Sequence, residues 1–426
     1  LIAKFFFASG QEKFFFNYSK IERISVKILH IGKYYPPAYG GIENFLRDLA
    51  ESQSQQGHQV RILCHQHQRN LSTAQEEQNN IPVVRTGILG VLAYTPLAPS
   101  YFARLRDILR VFAPDIVHIH MPNTSAFWLL LSSCQARIII HWHADVMTSS
   151  HDLLLPILYP VYSLFEKRLL SLAHEIIVSS NSYLQTSRPL QEYQEKCSVV
   201  PLAVSHHRMK DLQSSDGSGI CRKSNTSGHD EKDLQRLIHG SGAGYLVLSV
   251  GRFTHYKGFE FLIRAAQDIP WATFVIAGHG PLWAQMVALR DSLHLKATVV
   301  LPGEVDDATL FDLLEVSDLF CLPSVERTEA FGLVLLEAMY HSKPLITTNV
   351  RGSGMNEVNI HGQTGLVVEP RSVSLLAQGI KTILSNPSLQ EIFGRKSLQR
   401  LQTHFSLEKV TQEIETIYSR GEHLAS

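Results

Sequence analysis

Three clusters in this 426-residue chain carry residue types suited to an anionic, hydroxyl-rich ligand. The first is Gly251-Arg252-Phe253-Thr254-His255-Tyr256-Lys257-Gly258. Arg252 and Lys257 stand five residues apart in one short loop, so both can converge on a diphosphate. Each would give a charge-assisted hydrogen bond worth roughly 1.5–3 kcal/mol. The second runs from Glu329-Ala330-Phe331-Gly332-Leu333 to Glu337. Its helical pattern begins near Phe331, which places Glu329 in the preceding loop and Glu337 about two turns inside. The backbone N–H groups of Phe331, Gly332 and Leu333 would then face an anion or sugar hydroxyls. The third is Pro36-Pro37-Ala38-Tyr39-Gly40-Gly41. Paired prolines stiffen it, and Gly40 and Gly41 let backbone approach a ligand where a helix opens, whose free N–H groups can hold phosphate. A plain strand-to-helix turn accounts for the same residues.

Two weaker signals follow. In His141-Trp142-His143-Ala144-Asp145, a histidine at a strand end can hydrogen-bond a substrate or move a proton, and His143 is the candidate. Two histidines and an aspartate also suggest a metal. Neighbouring strand residues point to opposite sides, however, and no further ligand cluster is evident, so no metal site is expected. His118 and His120 read equally well as core. Gly278-His279-Gly280-Pro281 is another glycine turn, with Gly278 placed near the ligand. The chain contains no Asp-x-Asp triplet to hold a divalent ion on a diphosphate, which leaves that work to Arg252 and Lys257.

These groups must be carried on elements. Short β-branched runs alternate with helical lengths in both halves: Val26–Ile31, Val60–Cys64, Ile116–His120, Ile138–His141 and Glu175–Val178, then Tyr245–Val250, Thr273–Ala277, Thr298–Leu301, Leu319–Leu322 and Pro344–Thr347. The pattern predicts an α/β protein of two Rossmann-like doubly wound domains facing across a cleft, with ligands beyond the carboxyl ends of the strands. The expected organisation is an extension over 1–25, a first domain over 26–210, a Gly/Ser-rich linker or loop over 211–244, a second domain over 245–404 and a terminal helix over 405–426. The extension carries two aromatic triplets, Phe5–Phe7 and Phe14–Phe16. It reads as an upstream artefact, a helix packed on the body or an interfacial anchor. Of the 34 residues 211–244, six are Gly and six Ser, too little apolar surface for a core.

Composition narrows the function. Lys+Arg and Asp+Glu are both 39, so no basic excess points to nucleic acid. Hydrophobic residues at 44% and charged residues at 18% exclude wholesale disorder. Five scattered cysteines without metal spacing fit a reducing compartment. No run of 18 apolar residues predicts a membrane span.

Taken together, Gly251-Arg252-x4-Lys257-Gly258 and Glu329-x7-Glu337 resemble the retaining nucleotide-sugar glycosyltransferases of the GT-B fold, family 4 in particular. The Pro36–Gly41 loop, the His141–Asp145 strand end and Gly278–Pro281, with His279 where the family usually has an acid, resemble its other elements. The insert is longer than the usual connection, and Leu202–Ser205 departs from the family's turn at the domain junction. The resemblance implies that Arg252 and Lys257 neutralise the leaving diphosphate, helped by the amides of Gly40 and Gly41. Glu329 and the amides of Phe331, Gly332 and Leu333 would bind sugar hydroxyls, Glu337 the ribose, and His143 the transferred sugar or the acceptor. It implies no cofactor beyond the donor, GDP-mannose or else a UDP-hexose. The acceptor would be a saccharide or lipid-linked saccharide in cell-surface polysaccharide assembly, at a cytoplasmic location with peripheral membrane contact. Tyr101, Phe102, Arg104, Arg106 and Arg110 offer a basic-aromatic docking face, a solvated helix face being the alternative. Leu407–Arg420 would cross back to the first domain. Two rivals stand beside this reading: a non-hydrolysing UDP-sugar epimerase of the same fold, and a catalytically silent sugar-nucleotide binder.

Overall fold

The computed structural model describes residues 25–38, 40–146, 154–205, 209 and 244–420. The aromatic triplets of the extension and the Gly/Ser-rich stretch up to residue 243 lie outside the described residues.

Two sheets form the frame. The first contains β1 (Lys27–Ile31), β2 (Gln59–His65), β3 (Ala74–Gln78), β4 (Ile81–Thr86), β7 (Ile116–Met121), β8 (Arg137–Trp142), β9 (Glu175–Val178) and β10 (Cys197–Val199), in the order β10-β9-β8-β7-β1-β2-β4-β3. Every pair is parallel except β3–β4. The strands β5 (Gly90–Leu92) and β6 (Thr95–Leu97) form a separate hairpin. The second sheet is all parallel, β13-β12-β11-β14-β15-β16, from β11 (Tyr245–Val250), β12 (Ala272–Ala277), β13 (Val299–Gly303), β14 (Leu319–Leu322), β15 (Leu345–Thr348) and β16 (Gly365–Val368). Central strands such as β7 and β14 are buried at every position, as β-branched and apolar runs covered on both faces should be. The predicted two-domain α/β architecture is the one observed.

The order in which strands are added reverses between β1 and β7 in one sheet and between β11 and β14 in the other, although both pairs are parallel. Ligands of such sheets bind at these switch points, beyond the strands' carboxyl ends. The loops that leave β1, β11 and β14 carry the Pro-Pro-Gly-Gly, Arg…Lys and Glu329 clusters.

Five helices matter for the site: α1 (Gly41–Gln55), α2 (Tyr101–Val111), α3 (Leu155–Leu172), α4 (Leu333–Tyr340) and α5 (Leu407–Ser419). α5 returns to the first domain and lies along α1. Thr411 Oγ1 meets Ser52 Oγ at 3.0 Å, and Tyr418 Oη contacts Gln53 Nε2 at 3.1 Å and His118 Nδ1 at 2.5 Å. Arg420 pairs with Glu175 at 3.1 Å.

The domains also touch directly. Arg327 Nη1 meets Asp145 Oδ2 at 2.7 Å, and its guanidinium lies over the Tyr183 ring at 4.4 Å. Glu357 accepts the N–H groups of Asn181 and Ser182 at 3.2 and 2.7 Å, capping the helix Asn181–Thr186. A Cβ at Gly354 would lie 2.8 Å from Ser180 Oγ and 3.0 Å from Ser180 Cβ, so a larger residue there would press on Ser180 across the junction.

Candidate functional site

The turn after β11 is shaped by glycines that serve packing first. Gly258 sits at φ 66°, and a Cβ there would meet Pro323 O at 2.3 Å. A Cβ at Gly278 would fall 2.1 Å from Gly251 O, so Gly278 lets two loops stack. A Cβ at Gly251 would press on Lys257 Cε at 2.9 Å, so Gly251 makes room for the lysine stem.

Lys257 is thereby buried, and its Nζ reaches Glu329 Oε2 at 2.5 Å. Burial works against its charge, but the Glu329 carboxylate and Tyr256 together outweigh it and hold the ammonium above its usual pKa. Ser324 Oγ donates to Glu329 Oε2 at 3.0 Å, and Ser353 Oγ donates to the Glu329 carbonyl. Glu329 is thus held in place from both ends, and it is buried, not in bulk solvent. Arg252 is exposed and, among the described residues, has no carboxylate partner. It lies within electrostatic reach of Tyr256, as does Lys257.

α4 begins at Leu333, two residues later than expected. Gly332 caps it at φ 81°, ψ 56°, a left-handed conformation that favours glycine. Glu337 therefore lies one turn inside rather than two, and is buried. The Phe331 side chain belongs to the core, edge-on to Phe405 at 5.9 Å, which leaves only its backbone for a ligand.

Across the cleft, Gly41 opens α1 directly opposite α4: a Cβ there would sit 3.6 Å from Leu333 Cβ. The two helix mouths face each other. The α1 mouth, expected to hold phosphate, already carries a carboxylate. Glu43 Oε2 lies 2.1 Å from where a Gly40 Cβ would be. Burial raises the Glu43 pKa, offset in part by its own backbone N–H and by Lys33. Lys33 is a cation the sequence reading missed. Burial lowers its pKa; Glu43 raises it and Arg252 lowers it, which puts Lys33 in reach of both. Its signal was its place two residues beyond β1, in the loop that meets the ligand.

His143 takes part in something larger. His30 of β1, His118 and His120 of β7, and His141 and His143 at the end of β8 all project from one sheet face, because residues two apart on a strand share a face. The expectation that strand alternation would separate them was wrong, since His141 and His143 are two apart. Gln53 Nε2 donates to Tyr418 Oη, so its Oε1 accepts from His30 Nε2 at 2.8 Å. His30 Nδ1 then accepts from His120 Nε2 at 3.1 Å, and His120 Nδ1 from His143 Nε2 at 2.9 Å. The chain ends on a lone pair at His143 Nδ1. Burial lowers the pKa of all five, to about 4 for His30 and about 3 for His143, so they are neutral at pH 7. Two triads, His30/His118/His120 and His120/His141/His143, bring ligand nitrogens within 4.8 Å of one another. Yet His141 and His143 stack at 3° and His118 and His120 at 6°, so their in-plane lone pairs run side by side instead of converging.

Asp145 accepts from Trp142 Nε1 at 2.8 Å, Ser187 Oγ at 2.6 Å and Arg327. It is an interdomain latch. The structure therefore joins Lys257 with Glu329, and Gly41 with Leu333, and leaves Arg252 within electrostatic reach of Lys33. His143 has its ring contacts inside the first domain, with Phe45, His120 and His141.

Comparison with known proteins bears on this site. The family model described as Glycosyl transferase 4-like domain matches residues 40–203, and Glycosyl transferases group 1 matches residues 232–400. O-antigen chain mannosyltransferase C of Escherichia coli is 26% identical over 92% of this chain and 98% of its own. D-rhamnosyltransferase WbpZ of Pseudomonas aeruginosa is 28% identical over 89% and 92%. Among solved structures, sucrose-phosphate synthase from Thermosynechococcus elongatus superposes with a TM-score of 0.74 at 21% identity, covering 94% of this chain and 100% of the other. Anabaena HepE in complex with UDP-glucose gives 0.69 at 20%, covering 92% and 99%.

Proposed function

We propose, for a chain that belongs to the two-domain glycosyltransferases of the GT-B fold, that it moves a hexose with retention from a nucleotide-sugar to a saccharide or lipid-linked saccharide. Mannose from GDP-mannose is the favoured donor, and polysaccharide assembly at the cytoplasmic face of a membrane the setting. The likeness to an O-antigen mannosyltransferase supports the sugar and the setting. One observation carries the reading: the buried Lys257–Glu329 pair at the α4 mouth, faced by the α1 mouth.

Donor binding splits that pair. Lys257 turns to the diphosphate together with Arg252, and Lys33 adds a third positive charge from the first domain. Glu329 turns to the sugar hydroxyls with the amides of Phe331, Gly332 and Leu333, and Glu337 takes the ribose. As the glycosidic bond breaks, negative charge grows on the diphosphate and the fixed cations stabilise it, without a divalent ion. The departing phosphate oxygen takes the acceptor proton while the acceptor hydroxyl attacks from the same face. His143 Nδ1 holds a hydroxyl of the sugar or acceptor. The Asp145–Arg327 latch keeps the closed state that excludes water.

A thermal-shift series of nucleoside diphosphates and nucleotide sugars tests this, because a ligand of the native state raises Tm. GDP and GDP-mannose should give the largest shifts, and GDP-mannose plus saccharide acceptor should release GDP. Stabilisation by no nucleotide sugar would refute the reading, and epimerisation of donor alone would replace it.

A further inference from the structure

Helix α3 is inside out as far as Glu166, beyond which Leu169 and Leu170 pack inward. A helix packed on a water-exposed domain turns carboxylates outward and large apolar side chains inward. Here Glu166 is 2% exposed, whereas Ile157, Val161, Leu164 and Phe165 are 71%, 57%, 68% and 48% exposed. Their spacing of i, i+4, i+7 and i+8 makes one stripe. Phe127 stacks on Phe165 at 5.7 Å and ties the stripe to the turn Thr124–Leu131, whose Trp128 and Leu131 are also exposed. That turn in turn packs against α2, with Phe102 and Trp128 5.2 Å apart. The apolar face thus continues over three elements.

Its rim is cationic. α2, the turn and α3 carry Arg104, Arg106, Arg110, Lys167 and Arg168 against Asp107, 3.7 Å from Arg110, and the buried Glu166, with Glu192 3.5 Å from Lys167 as a third carboxylate. The predicted docking face is corrected by this. Tyr101 is fully buried and Phe102 half-buried, so α2 supplies charge through Arg106 and Arg110, while the exposed apolar residues come from α3 and the turn.

We propose that this face seats the first domain on an anionic bilayer, with the α3 stripe in the headgroup–acyl boundary, Trp128 at the interface and the cations on lipid phosphates. Charge complementarity selects this occupant: a second copy would bring one basic rim against another. No helix among the described residues is long and apolar enough to cross a membrane, so α3 lies in the plane. The inference deepens the reading of a lipid-linked acceptor but does not depend on donor or turnover.

The test is co-sedimentation of the full chain with vesicles of phosphatidylglycerol and phosphatidylethanolamine, against phosphatidylcholine alone, without donor or acceptor. Binding to the anionic vesicles should be about ten-fold tighter or more, and should weaken as salt rises. V161E/L164E, at exposed sites, should keep the wild-type Tm and GDP-mannose thermal shift while partitioning falls on the order of 10²-fold. R106E/R110E should lose about ten-fold on anionic vesicles only. Equal binding of V161E/L164E and wild type would overturn the proposal. So would a wild-type dimer that V161E/L164E dissociates, with no vesicle binding by either. A lost nucleotide shift with vesicle binding intact would instead count against the transferase reading.

Discussion

Lys257 offers the sharpest perturbation. K257M keeps the unbranched stem that lies against Gly251 and removes only the ammonium. The side chains of Lys257 and Glu329 are 9% and 11% exposed, so Glu329 becomes a buried carboxylate without its counter-ion. Stranding one partner of a buried pair costs about 3–5 kcal/mol, and the Ser324 hydroxyl on Glu329 argues for about 3. For a domain of this size that is a fall of roughly 6–12 °C in Tm. In K257M/E329Q no stray charge remains, so stability should return to within about 1 kcal/mol of wild type. Transfer should not return: losing a fixed cation at the leaving group costs on the order of 10²-fold in kcat in both variants. Urea unfolding of both variants beside a radiometric transfer assay separates the two effects. Because the folded Lys257 pKa lies above its usual 10.5, the pair's contribution is fully present below that pH and is lost as pH rises through the folded value. A K257M protein as stable as wild type, or a double variant with wild-type turnover, would refute the argument.

Three further outcomes follow from the geometry. R252A should leave stability within about 0.5 kcal/mol, since the side chain is exposed, yet lower kcat/KM for the donor on the order of 10²-fold; thermal melts and donor titrations check both. The buried histidines set an acid limit. Their folded pKa values lie below the usual 6.5, so the stability they confer is present above pH 6.5. It is lost as pH falls toward about 4 for His30 and His65, on the order of 3 kcal/mol each, and toward about 3 for His143, on the order of 5 kcal/mol. Urea midpoints unchanged between pH 7 and 5 would contradict it. R327A removes a latch between domains, so small-angle scattering should report a more open chain and donor KM should rise several-fold, with the unfolding free energy of each domain little changed.

Most central strands were legible because burial on both faces leaves short β-branched runs that hold regardless of partners, whereas β4, β16 and the strand order were not read. β3 was not legible: Ala-Gln-Glu-Glu-Gln is polar and exposed, an edge strand fixed by pairing with β4 and not by its own pattern. At the site, Arg252, Lys257, Glu329 and Glu337 could be read because each lies in a local motif. Lys33, Glu43 and the Asp145–Arg327 latch could not, since each acquires its meaning from a chain segment over a hundred residues away or from burial. The histidine stack had a visible sign, two His-x-His pairs at strand ends, but the register that sets His120 beside His141 is a property of the sheet.

The path of α5 bears on how the protein is made. Tyr418 contacts Gln53 and His118, so the amino-terminal half is completed by a residue 365 and 300 positions further along the chain. Co-translational folding can form the first sheet early, but its helical cover stays unfinished until Leu407–Ser419 has been made. A premature stop shortly before Tyr418 would therefore damage the half of the protein made first, leaving polar histidine edges unsatisfied far from the truncation, while the later-made sheet folds normally.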